Sequence, residues 1–360
     1  MGAVYCHPLK QLSVEHGWLM LCRRVFSDGE VEDIEELKDV GMKIVKKCNG
    51  IPLAIETISG VLKTKERNNR EWEKDTTSRM WIAEGFVRAE EQVAAEDLAD
   101  NYYSELVTRS LQIIGKGFGE MDCKMHDLLR ALALLVAQHQ YFSGDPQHLQ
   151  TTLVKPRHLS VVKKGLSTIP ESVQKQKIIR TLLLSDNPLK GDALNAPFER
   201  FRHLRVLDLS GTGINNLPDG VGKLIHIRYL NLSKTELKEL PESIEYLRDL
   251  LTLDLYWCIY LKNLPKGITQ IQNLRRLDIG ETGLDCMPVG IGRLKQLHTL
   301  DGFVLNDNNE NTDDLPGSNI KELTNLSELR SLSVHNLERL SSREEAAEAA
   351  LRNKRNLEFL

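Results

Sequence analysis

A chain of 360 residues, 41% hydrophobic and 27% charged, has the make-up of an ordinary globular protein long enough for two or three domains. Its net charge of −4 and pI near 6.2 argue against a nucleic-acid surface, and no run of 18 apolar residues is present to cross a membrane. The start "MGAVYCHPLKQLSVEHGW" lacks a basic stretch followed by an apolar one, and the six cysteines (Cys6, Cys22, Cys48, Cys123, Cys258, Cys286) are scattered with no CxxC. Export, a disulfide frame and a zinc site are therefore not expected, and a reducing, cytoplasmic setting is.

The first 150 residues read as helical with one hairpin. In "EVEDIEELKDVGMKIVKKCNG" the acidic residues come first, Ile34, Leu37, Val40 and Ile44 keep helical spacing, and Asn49-Gly50 ends the run. A second helix is expected after Pro52. "TKERNNREWEKDTTSR" (64–79) is polar, a linker or the solvated face of a helix. "MWIAEGFV" (80–87) and "AAEDLADNYYSELVTRSL" (94–111) suggest two more helices. "LQIIGKGFGEMDCKMHD" reads as strand, glycine turn, strand, and delivers the chain to a Leu-rich run expected to be a buried helix. His126 and Asp127 stand at that junction. Two readings are open: Asp127 caps the helix and His126 merely precedes it, or His126 faces a ligand held above the helix start.

The second half repeats itself. "LRVLDLSGTGINNLPDGVGKL", "IRYLNLSKTELKELPESIEYL", "LLTLDLYWCIYLKNLPKGITQI" and "LRRLDIGETGLDCMPVGIGRL" begin at Leu204, Ile227, Leu250 and Leu274, and Leu297 opens a further unit. The steps are 23, 23, 24 and 23 residues. That period and the LxxLxL opening define leucine-rich repeats, each a short strand plus a return segment. Leu207 and Leu209 share one strand face, and since one strand cannot bury that face alone, the units must stack. The ninth position holds Thr212, Thr235, Cys258 and Thr282, small side chains suited to bonding the turning backbone. Leu-Pro pairs at 217–218, 240–241 and 264–265, with Met287-Pro288, open the return, where a residue of fixed φ and no N–H is tolerated. Fainter units start at Pro156, Ile179, Leu329 and Leu357, which makes nine strand positions, and "NDNNENTDDLPGSN" (306–319) reads as an inserted loop.

Alternation puts Arg205, Val206, Asp208, Arg228, Tyr229, Asn231, Thr252, Asp254, Tyr256, Arg275, Arg276 and Asp278 on the concave side of such a solenoid. Mixed charge with a tyrosine pair suits protein recognition, and it equally suits ordinary solvated strand positions. The histidines show no metal spacing, and no Ser/His/Asp set stands out.

"IVKKCNGIPLAIETISGVL", "MWIAEGFV", "EDLADNYYSELVTRSL" and "CKMHDLL", in that order, ahead of leucine-rich repeats and behind "HPLKQLSVEHGWLMLCRRVF", resemble the plant disease-resistance receptors of the nucleotide-binding, leucine-rich-repeat class. The resemblance implies an α/β architecture. Residues 1–75 would be the remnant of the nucleotide-binding (NB-ARC) region, 76–150 a winged-helix subdomain, and 151–360 a repeat horseshoe with a parallel sheet on its concave face. It also implies that Pro52 packs against the adenine of ADP or ATP and that His126 meets the ADP phosphate.

Two departures weigh against nucleotide binding by this chain. No GxxxxGK[ST] occurs, so the phosphate-cradling loop, its Lys and its Mg²⁺-binding hydroxyl are missing, as if the chain started after that subdomain. Trp72 and Trp81 stand only nine positions apart, where the family carries further helices. "GKGFGE" (115–120) lies between two strands and is no phosphate loop. Three functions are compatible with the residues. One is a non-enzymatic cytoplasmic immune receptor whose repeats bind a pathogen effector, a guarded host protein or other receptor domains. The second is an ATPase-like nucleotide switch, given an upstream P-loop, and the third is a truncated gene product without function.

Overall fold

The computed structural model describes residues 13–25, 42, 71–90, 93–109, 111–115, 121–125, 132–133, 135–137, 140–150, 155–161, 165–305, 320–340 and 342–358. Two compact units form, one of residues 1–82 and 87–136, the other of 83–86 and 137–360.

In the first unit, α1 covers Val14–Val25, α2 covers Glu71–Glu84 (its last two residues belonging to the second unit) and α3 covers Ala95–Arg109. The polar stretch before Met80 is therefore helical from Glu71 onward, continuous with "MWIAE", and Gly85 ends the helix at φ 84°. Ala95, Ala99 and Tyr103 recur every fourth residue and are buried, so α3 has one inward face. The Tyr103 ring meets that of Trp81 with centroids 6.2 Å apart. Strands β1 (Leu111–Gly115) and β2 (Met121–Met125) pair antiparallel with Leu111 opposite Met125, as the hairpin pattern predicts. The Leu-rich run is helical at 132–133 and 135–137, but Leu132, Leu135 and Val136 stand exposed. The expectation of a buried helix is corrected there, because apolar composition does not say which surface a helix face meets.

The second unit is built around a nine-stranded parallel sheet in strict chain order. It comprises β3 (Tyr141–Gly144), β4 (His158–Val161), β5 (Thr181–Leu183), β6 (Val206–Asp208), β7 (Tyr229–Asn231), β8 (Thr252–Asp254), β9 (Arg276–Asp278), β10 (Thr299–Val304) and β11 (Ser331–His335). The register advances one repeat per strand: Leu207 pairs with Leu230, Leu230 with Leu253, Leu253 with Leu277, and Leu277 with Leu300. All five are buried, forming with Leu209, Leu232, Leu255 and Ile279 the spine of one continuous core.

The ninth-position side chains act as expected. Thr212 donates to the Leu209 carbonyl at 2.6 Å, Thr235 to Leu232 at 2.7 Å and Thr282 to Ile279 at 2.7 Å, while Cys258 Sγ reaches the Leu232 carbonyl at 3.1 Å. Each bond satisfies a buried carbonyl where the strand turns. Pro218, Pro241 and Pro265, with φ between −65° and −72°, lead into 3-10 turns at Asp219–Lys223, Glu242–Tyr246 and Lys266–Gln270.

Two details differ from the expected nine positions. The sheet opens with β3, ahead of Pro156 and of residue 151, because "YFSG" pairs with β4 without carrying the LxxLxL signature. At Leu357 no strand is formed up to residue 358, although the Glu358 N–H reaches the Arg330 carbonyl at 2.8 Å and so carries the ladder one bond further. The inserted loop 306–319 lies outside the described residues.

Candidate functional site

At four strand ends the same local device recurs. Asp208, Asn231, Asp254 and Asp278 each accept, through Oδ1, the backbone N–H two residues on, at Ser210 (2.9 Å), Ser233 (2.9 Å), Tyr256 (3.0 Å) and Gly280 (3.2 Å). These are Asx turns, and they bend the chain out of the strand. Asp208, Asn231 and Asp278 are also buried, which corrects their expected display on the concave side. Burial pushes the Asp208 carboxyl above the usual carboxylate range, against the bonds from Ser210.

Tyr229, Val206 and Thr252 are also buried, a second correction. At the first strands of the sheet the chain itself covers part of this side. Residues 83–86 lie against the first strands: Arg205 Nη1 donates to the Glu84 carbonyl at 2.7 Å, and the Glu84 carboxylate accepts from Thr181 Oγ1. The Phe86 ring packs 5.8 Å from that of His158. Gly85 passes between Arg205 and Arg228, whose Nη1 atoms would each lie 3.8 Å from a Cβ there. Arg205 and Arg228 are thus half-buried and partly engaged by their own chain.

Arg276 is held by two carboxylates, Asp278 Oδ2 at 3.1 Å and Asp301 Oδ2 at 3.3 Å, with its side chain only 17% exposed. Its role in the fold is therefore internal. Arg275, Asp254 and Tyr256 keep partial exposure. Pro52, His126 and Asp127 lie outside the described residues, as does the turn at 116–120. Among the described residues no group of His, Cys, Asp or Glu is placed to hold a metal ion. Burial pushes the Cys258 thiol up, so it is a packed side chain and not a nucleophile.

One set of surface residues was missed by reading only the strands. Trp257, Ile259 and Tyr260 follow β8 and are all exposed. The signal was available in the sequence: the 24-residue step, and large apolar residues where the neighbouring units have Lys234 and Glu236, or Glu281 and Gly283.

The ladder of stacked strands, buried Leu positions and threonine-bonded turns defines a leucine-rich-repeat protein. A family profile described as a leucine-rich repeat region matches residues 190–360, and one described as the disease resistance protein winged helix domain matches 67–133. The putative disease resistance RPP13-like protein 3 of Arabidopsis thaliana is 30% identical over 315 residues, 70% of this chain and 36% of that protein. Disease resistance protein RGA2 of Solanum bulbocastanum is 30% identical over 312 residues, 72% of this chain and 29% of that protein. The chain is thus similar to plant disease-resistance proteins, with a winged-helix match ahead of leucine-rich repeats. It spans about a third of the length of these relatives.

Proposed function

We propose that this chain acts in plant defence as part of a cytoplasmic immune receptor, binding protein through its repeats and catalysing no reaction of its own. The observation that carries the reading is the repeat ladder itself: one continuous core fixes the backbone, so side chains at the strand ends and loops can vary without loss of the fold. The names of the matched relatives support the defence role. No helix among the described residues is long and apolar enough to cross a membrane. The partner would be a pathogen protein or a host protein that pathogens alter.

The test is a footprint. Candidate partners are identified by proximity labelling with the chain expressed in infected leaf, and the purified complex is examined by amide hydrogen exchange. Protection falling within residues 137–360 supports the reading, and protection confined to residues 1–136 overturns it.

A further inference from the structure

The unit containing β8 is one residue longer than its neighbours, and the extra residue has a defined place. Between the ninth-position side chain and the next interior residue, Glu236 stands alone in one neighbour and Gly283 in the other, whereas here there are two, Ile259 and Tyr260. The ladder closes on both sides of this insertion: Trp257 N–H bonds the Gly280 carbonyl at 2.9 Å, and Asp285 N–H bonds the Lys262 carbonyl at 3.1 Å. Leu253, Leu255, Cys258 and Leu261 already fill the interior of this unit. Ile259 and Tyr260 are left outside it, 48% and 52% exposed.

Trp257, 52% exposed, completes the patch. It sits five residues after the start of its strand, at a left-handed position with φ 60°. The corresponding positions hold Asp186, Gly211, Lys234 and Glu281, all polar or glycine and all left-handed. An unbranched polar side chain or glycine is the residue expected there, and a tryptophan contributes nothing to the turn.

The aromatic surface is held in place before any partner arrives. A Cβ on Gly280 would stand 3.3 Å from Tyr256 Cδ2, so the tyrosine ring lies over the glycine of the next unit. The Trp257 ring meets Tyr256 edge-on, with centroids 6.2 Å apart and planes at 79°. Carboxylates border the pair on one side. Burial first, and then the charges of Glu281, Asp278 and Asp254, push the Tyr256 hydroxyl above its usual range. Asp278 is tied to Arg276, and Glu281 is exposed, so Glu281 is the carboxylate that an incoming group meets. Lys234 lies on the opposite flank, where its N–H bonds the Tyr256 carbonyl at 2.8 Å.

We propose that Tyr256, Trp257, Ile259, Tyr260 and Glu281 dock a basic segment of a partner protein. An Arg or Lys side chain lies against Trp257 and Glu281, and a neighbouring apolar side chain covers Ile259 and Tyr260. A cation between an indole face and a carboxylate is stabilised by both, and rigid aromatic anchors lose little freedom on binding. The site is an open flank, so a lone small cation has nothing to enclose it, while a peptide segment spans both halves. This inference rests on the reading that the repeats recognise protein.

The probe is the peptide Ac-Gly-Arg-Leu-Gly-Arg-Leu-NH2, titrated into the purified full chain by calorimetry, beside its citrulline and Glu analogues. The Arg peptide should bind at least about tenfold more tightly than either analogue, and Trp257→Gly and Glu281→Gln should each weaken it about three- to tenfold. Trp257→Gly preserves the left-handed backbone, so its melting point serves as the control for folding. Lys234→Glu should strengthen binding. No binding at millimolar peptide, or equal binding by Trp257→Gly, overturns the site. Trp257-dependent dimerisation in sedimentation would also overturn it, by assigning the patch to a second copy. These outcomes are separate from the exchange footprint, in which protection elsewhere among residues 137–360 would leave the wider reading standing.

Discussion

Arg205 donates a hydrogen bond of 2.7 Å to the main-chain carbonyl of Glu84, a residue 121 positions earlier in the sequence. The Glu84 side chain, 5% exposed, accepts from Thr181 Oγ1 and lies 3.5 Å from His158 Nδ1, and His158 is itself 3.0 Å from the Thr181 hydroxyl. Strands β4 and β5 thus share one carboxylate, brought to them by four residues from far upstream.

Removing that carboxylate should destabilise the first strands of the sheet. Burial alone would raise the Glu84 pKa, but the bonds from His158 and Thr181 and the charges of His158 and Arg205 outweigh it and hold the group below its ordinary 4.5. A lowered folded value means stability that is present above about pH 4.5 and lost as the pH falls through the folded pKa. Glu84→Ala should cost about 1–3 kcal/mol at pH 7, and the gap from wild type in urea melts should narrow as the pH is lowered below 4.5. A gap that does not change with pH would count against an ionised Glu84.

Asp208 gives the opposite sign. Its folded pKa is raised by burial, so its charge works against the fold as the pH rises past the usual carboxylate value. Asn231 makes the same turn one repeat later without a charge. Asp208→Asn should therefore retain the turn and leave the protein as stable at pH 7 or more stable, by about 1 kcal/mol. A clear loss of stability in thermal melts would show that the charge itself is needed.

Reversing the charge of Arg276 tests its internal role. Arg276→Glu would set a third carboxylate beside Asp278 and Asp301, and should cost about 3–5 kcal/mol. The denaturant midpoint of the variant checks this, and an unchanged midpoint would contradict the ion-pair role.

Purified chain is expected to carry no adenine nucleotide. Most affinity for phosphates comes from backbone N–H groups of a glycine-rich loop and a following Lys, and no GxxxxGK[ST] is present in these 360 residues. Heat-denatured protein should release no ADP on chromatography, and stoichiometric release would overturn the expectation.

The sequence made some layers of this structure plain and hid others. Period and register were legible, because each strand bonds the same atoms one repeat on and the same residue types return at each step. The threonine and Leu-Pro positions were legible for the same reason. Asp208 and Asp278 misled, because a charged residue at an outward strand position reads as surface, while its partner is an N–H only two residues away. Strand β3 was hidden because one neighbour sufficed to order it. The docking of residues 83–86 was hidden because nothing local in "AEGF" points to a histidine and a threonine far along the chain.

The strict chain order of the sheet has a mechanical meaning. Since every strand touches only its predecessor and successor, a pull on either end loads one repeat at a time, not the sheet as a whole. Each released unit of about 23 residues would add ~80 Å of slack at full extension. A solenoid wired in series therefore yields in small steps and re-forms against an intact template, so damage at one end leaves the far repeats, and whatever they hold, in place.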